Sequence, residues 1–299
     1  MPFLIELIKR GETCDDADVA IVGIPFDKGV VLEGGRPGSS MAPENIRAEL
    51  SKYHKAYNLK NDVDLRNLKI VDMGDIPLKG MDSWQAHKKI QAEMEKIFDK
   101  YPVVIVLGGG HDISYSTIKA LSTRGPIGGL NLDAHMDVKD RDDLGSGTPF
   151  GNLLREEILG GKNFIEMGMH DNFATKDDVD FLRSKGCKII PLSSVNKKGV
   201  DKSIKSTFKY IGARKSLFLS VDIDVVAEAF APGCSAPSAD GFSPQKIIRA
   251  SYLAGKQKGL KLFEIMEVNP KHDTDNRTSR LAATMIAAFL TGLAKIKSN

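Results

Sequence analysis

Three short segments concentrate side chains able to hold a metal ion. Residues 130–137 read LNLDAHMD, which spaces Asp133, His135 and Asp137 two apart. Residues 217–224 read LFLSVDID, an apolar run ending in Asp222 and Asp224. Residues 103–107 are followed by GGGHD, which puts His111 just beyond a glycine turn. In extended chain alternate residues share a face, so each set is expected to converge on one point. Neighbouring buried carboxylates without a cation cost several kcal/mol, and a metal is the natural occupant. Four carboxylates and two imidazoles exceed the needs of one tetrahedral zinc. They suit two oxygen-preferring divalent ions of the Mn2+ type. Two such ions about 3.5–4 Å apart hold a water between them and lower its pKa towards neutrality. Hydrolysis is the chemistry that follows.

These segments need a scaffold that brings distant strand ends together. Short apolar runs at 19–24, 68–73, 103–107, 127–132, 164–167, 188–191, 217–221 and 260–268 are flanked by Gly, Asp or Lys, as fully buried parallel strands are. Between them lie helix-like stretches. They include 42–53 with Pro43 in its first turn, 83–100 opening on Ser83, 243–258 with Ser243 before Pro244, and the Ala- and Leu-rich 276–297. The alternation predicts one α/β domain over residues 1–299, with an eight-stranded, mostly parallel sheet flanked by helices. A closed eight-stranded barrel satisfies the same periodicity. In open α/β sheets ligands gather at the carboxyl ends of strands, where all three motifs fall. The Lys-rich tail after Leu293 reads as a frayed helix end.

Composition narrows the partners. The 299 residues are 41% hydrophobic and 27% charged, enough for a large buried core. A net charge of +3 gives no reason to expect nucleic acid. The chain has no run of eighteen apolar residues, so no membrane partner is expected, and its first residues do not read as a secretion signal. Cys14, Cys187 and Cys234 are scattered and odd in number, which predicts neither a disulfide framework nor a zinc cluster and favours a cytoplasmic setting. The glycine triplet matches neither GxGxxG nor GxxxxGK[ST], so it reads as a tight turn beside the metal site and not as a phosphate loop.

Taken in order, GGGHD, NLDAHMD, SVDID followed by APG, and EIMEVNP at 264–270 resemble the ureohydrolases: arginase, agmatinase and formimidoylglutamase. The resemblance runs from about Gly34 to the C-terminus. It implies an arginase-like three-layer α/β/α fold, a homo-oligomer and two Mn2+ per chain. By position His111 and Asp137 would bind one ion, His135 and Asp224 the other, with Asp133 and Asp222 bridging. Arginase-like members carry SGxxHG after the DAHMD motif, whereas residues 144–151 here read LGSGTPFG, without a histidine. SGTPF, the APGCSAPS of 231–238 and the DNRT of 275–278 resemble the formimidoylglutamase branch. Ala227-Glu228 also departs from the Asp-Pro usual in arginase and agmatinase.

The branch implies a small-molecule amidine substrate: N-formimidoyl-L-glutamate and water giving L-glutamate and formamide, a step of histidine degradation. The alternative is a guanidino compound such as agmatine, releasing urea. Glu267 is expected opposite the metals, holding the planar cation through paired hydrogen bonds. Asp137 is expected to pass a proton from the attacking water to the leaving amine. The two substrate carboxylates want a cation, with Arg277 the first candidate and Arg36, in the loop 33–38, the second. His170 is expected at the rim of the site, His54, His87 and His272 in solvent, and Cys234 as an inert small side chain.

Overall fold

The computed structural model describes residues 2–11, 14–212 and 216–297. The strands are β1 Ile8–Arg10, β2 Val19–Gly23, β3 Tyr57–Asn58, β4 Val63–Asp64, β5 Ile70–Asp75, β6 Val104–Leu107, β7 Ile127–Leu132, β8 Phe164–Met167, β9 Lys188–Ile190, β10 Ser216–Asp222 and β11 Leu260–Met266. Nine of them form one sheet in the order β1-β5-β2-β6-β11-β10-β7-β8-β9, every neighbouring pair parallel. All eight expected strands are present within a residue or two of their expected ends. The ninth, β1, was not expected: it is three residues long, and only Ile8 is buried. The sheet is open, with β1 and β9 at its edges, which removes the closed barrel. β3 and β4 make a separate antiparallel ribbon.

The helices are α1 Lys28–Leu32, α2 Ala42–Tyr53, α3 Ser83–Lys100, α4 Ile113–Ser122, α5 Pro149–Arg155, α6 Lys176–Ser184, α7 Leu192–Lys198, α8 Val200–Ile211, α9 Pro244–Gly255 and α10 Arg277–Lys297. They cover both faces of the sheet. In β6, Ile105 and Leu107 pack towards α2, α9 and α10, while Val104 and Val106 pack towards α3 and α4. The period of two makes each face a core of its own. Each fully buried Leu, Ile or Phe contributes about 1.5–3 kcal/mol, which is why the central strands are mostly apolar on both sides.

α2 and α3 have the expected bounds, and α9 and α10 start one residue later than expected. The cap of α3 is Asp82, not Ser83: its carboxylate accepts the Gln85 N–H, and Gln85 reaches back to the Asp82 N–H. Ser243 occupies the residue before α9 but makes no side-chain cap. α10 is long and apolar enough to cross a membrane by length and composition, yet most of it is buried against α9 and α2. α10 continues through Lys297, and Lys297 Nζ pairs with Asp18, so the tail is held and not frayed up to that point. Residues 298–299 lie outside the described residues.

Candidate active site

Four adjacent central strands, β6, β11, β10 and β7, aim their carboxyl ends at one place. β6 leads through Gly108–110 to His111. A Cβ on Gly109 would fall on the Phe26 carbonyl, and one on Gly108 would fall on Met266 Sδ. The triplet is therefore a close-packed turn, as expected. β10 ends on Asp222, and Asp224 follows in a one-turn 3-10 helix, Ile223–Val225, whose Asp224 N–H donates to Asp222 Oδ1 at 2.9 Å. β7 ends at Leu132, one residue before Asp133. The chain then bends, and Asp137 takes the left-handed φ of 49°. The ligands converge, but by bends beyond the strands instead of by alternation along them.

The six side chains form two groups sharing one member. His111, Asp133, Asp137 and Asp222 make the first; Asp133, His135 and Asp224 make the second. His111 Nδ1 lies 2.8 Å from Asp137 Oδ2 and 3.2 Å from both Asp133 Oδ2 and Asp222 Oδ2. It makes a well-aligned hydrogen bond to none of them. His135 Nδ1 lies 3.0 Å from Asp224 Oδ2 and 3.7 Å from Asp133 Oδ1. Asp133 thus turns one oxygen to each group, the geometry of a bridge. Asp222 falls only in the first group, through Oδ2, while its Oδ1 accepts the Asp224 amide.

Electrostatics show what the cluster lacks. Burial raises the Asp137 carboxyl to about 6, with Asp133 adding to the effect, and burial likewise pushes Asp222 and Asp224 upward. Burial opposes charge on His135, yet its pairing with Asp133 and Asp224 outweighs that and pushes it up to about 12. His111 is raised in the same way by Asp133, Asp137 and Asp222. Without another cation, buried protons must balance these carboxylates. The donor set fits two divalent ions that would replace those protons.

Below the ligands, four polar residues face each other across four strands. Glu166 of β8 pairs in register with Asn131 of β7, Asn131 with Ser220 of β10, and Ser220 with Glu264 of β11. All four are fully buried. Ser220 Oγ lies 3.1 Å from His111 Nε2, which leaves Nδ1 for the ion. Sequence reading passed over this row because each member interrupts an apolar strand singly.

A cavity of about 360 Å3 opens over the cluster, lined among others by His135, Asp137, Asp222, Asp224 and Glu267. Glu267 follows β11 with φ 63°. Its Oε1 accepts the His111 N–H at 2.9 Å, while Oε2 is buried and without a partner. Burial pushes this carboxyl up to about 8. The cavity is also walled by Ser146 and Gly147 of the SGTPF segment and by Ser235 and Ala236 of the APG loop.

A model of the arginase family matches residues 17–292. The chain belongs to that family. Formimidoylglutamase of Bacillus subtilis (strain 168) is 31% identical over 294 residues, covering 96% of this chain and 91% of its own. The mitochondrial guanidino acid hydrolase of Homo sapiens is 28% identical over 285 residues, covering 93% and 79%. Trypanosoma cruzi formiminoglutamase, solved with Mn2+, superposes with a TM-score of 0.92 at 32% identity and covers 98% of each chain.

Within this arginase-family chain the expected cations are placed away from the cavity. Arg277 is exposed, and its Nη1 donates to the Ala229 carbonyl at 2.9 Å. Arg36 spends its guanidinium on the carbonyls of Cys234 and Ser235, fastening the APG loop from behind. The cation that does line the cavity is Lys139, two residues past Asp137, paired with Glu33 at 2.6 Å. Arg141 stands 3.3 Å from the other Glu33 oxygen. Sequence reading missed Lys139 because nothing local marks which way the chain turns after Asp137. His170 lines a neighbouring cavity that shares Phe173 with this one, its Nδ1 2.8 Å from Ser238 Oγ and its ring against Phe173. Phe173 in turn stacks on His135 at 5.3 Å. His54 is partly buried against Thr284, and His272 is exposed.

His87 overturns its expectation. It is buried on the apolar side of α3 beside Ala86 and Ile90, with Nε2 3.0 Å from Asp112 and Nδ1 2.8 Å from Ser116. Its lysine neighbours point elsewhere around the helix. Cys234 is fully buried, and burial pushes its thiol far up, so it is inert as expected.

Proposed function

We propose that this single domain hydrolyses the C–N bond of a linear amidine, with N-formimidoyl-L-glutamate as substrate and L-glutamate and formamide as products. The observation that carries the reading is the shared-carboxylate cluster roofed by a cavity into which Glu267 presents a free, buried oxygen. His111, Asp133, His135, Asp137, Asp222 and Asp224 would hold two Mn2+, which when bound supply a water acidic enough to be a nucleophile at neutral pH. Support for the substrate comes from SGTPF and APGCSAPS, both in the cavity wall, and from the formimidoylglutamases among the relatives.

The chain's own groups then divide the work. The cationic amidinium displaces to solvent the proton that burial favours on Glu267, and Oε2 then accepts from the amidinium and holds its carbon over the cluster. Water oxygen bonds to that carbon, the bond from carbon to the glutamate nitrogen breaks, and Asp137 carries the water proton to the departing amine. Lys139 receives a substrate carboxylate in place of Glu33, a role the sequence alone suggested for Arg277 or Arg36. Phe173, stacked on His135, narrows the mouth against water. The three free, buried cysteines accord with a cytoplasmic setting, and the products accord with histidine degradation. Loading with Mn2+ and assaying formamide release tests this. Turnover is expected from loaded protein only, and full turnover by protein with metal content confirmed as nil would overturn it.

A further inference from the structure

Asn131 and Glu166 hold no ligand position, yet both are fully buried one strand repeat below the cluster. We propose that Asn131, backed by Glu166, is a positioning residue that fixes the Asp133 carboxylate and thereby sets the affinity of the metal pair. The proposal rests on the metal centre described above.

Asp133 is the one described side chain common to both ligand groups, so its rotation would disturb both ions at once. Its Oδ1 is fixed by the His135 N–H at 2.6 Å, and its Oδ2 accepts from Asn131 Nδ2 at 3.2 Å. The same amide nitrogen donates to Glu166 Oε2 at 3.0 Å. Only the nitrogen end of an amide can donate, so two carboxyl acceptors on one side dictate which way Asn131 faces. Parallel pairing places Asn131 directly opposite Glu166. Without Glu166, one amide proton would be left buried and unpaired, and the side chain would turn to seek another acceptor. Asp133 Oδ2 would then lose its fixed donor. Partners of this kind behind metal ligands change affinity by about 10- to 100-fold.

The test is calorimetric titration of the metal-free full chain with Mn2+ alone, beside the denaturation midpoint of each metal-free variant. The parent is expected to take two ions. Asn131→Ala and Glu166→Met are each expected to weaken binding about 10- to 100-fold. Glu166→Gln keeps a carbonyl oxygen for Asn131 and is expected to bind as the parent does. Should Glu166→Met not fold, Asn131→Ala and Glu166→Gln still give opposite outcomes. A purely structural role would lower the denaturation midpoint and leave Mn2+ affinity unchanged, which would overturn the proposal. So would a Glu166→Gln variant as weak as Asn131→Ala. A parent that takes no Mn2+ would overturn the metal centre as well.

Discussion

Glu267 has one oxygen committed to the His111 amide and one left open in the cavity. Glu267→Gln should therefore keep its place but lose the charge that answers the amidinium. Because that charge matters most as the carbon becomes tetrahedral, we expect kcat to fall at least a hundredfold, about 3 kcal/mol, with little change in KM. Steady-state kinetics decide this, and a change in KM alone would speak against it. A tail contact is equally strong in ground and transition states, so Lys139→Ala should raise KM about tenfold or more and leave kcat nearly alone. Arg277→Ala, whose guanidinium serves a surface carbonyl, should change KM less than about twofold. The reverse ranking would restore Arg277 as the tail cation. The clustering of the six His and Asp side chains was legible because carboxylates and imidazoles at the ends of apolar runs have few other reasons to be there, whereas Glu267 was pointed to only by the family resemblance. That Lys139 lines the cavity was not legible, since it depends on the path of a loop after the left-handed Asp137. His87 was misread for a related reason: its neighbours in sequence are lysines, but its helix face is apolar.

The helices and strands owe their places to packing that local sequence only partly declares. α9 and α10 approach so closely that a Cβ on Gly292 would fall on the Tyr252 carbonyl, and one on Gly255 on the Phe289 carbonyl. Gly292→Ala should therefore destabilise the chain by about 1–3 kcal/mol despite its gain in helix propensity. Urea denaturation measures this, and a stabilised variant would show that the helices can part freely. The Ala- and Leu-rich pattern revealed α10, but not that glycines let it lie against α9. The central strands were legible because burial on both faces makes them apolar but for a few polar interruptions, Asn131 in β7, Ser220 in β10 and Glu264 in β11 among them. β1 was hidden because an edge strand of three residues, two of them exposed and charged, carries no such run.

Across the whole molecule, metal loading and acidity must be linked. At pH 7 the metal-free site holds protons: His135 keeps its proton until pH rises through about 12, and Asp137 gains one as pH falls through about 6. A metal binds only the deprotonated forms, so loading releases protons and affinity rises with pH. It should fall most steeply below about 6, where Asp137 joins the protonated groups. Titrations with Mn2+ in buffers of different ionisation enthalpy check this, and a pH-independent affinity without proton release would refute it. The parallel sheet and the metal-ligating cluster fit the class of reaction, and in the function we propose the substrate is chosen by loops at the cavity wall, where SGTPF and APGCSAPS stand. That makes one comparison decisive. Mn2+-loaded protein should be offered N-formimidoyl-L-glutamate and agmatine side by side, with formamide and urea both quantified. We predict rapid formamide release and little or no urea; faster release of urea from agmatine would contradict the substrate assignment while leaving fold and metals intact.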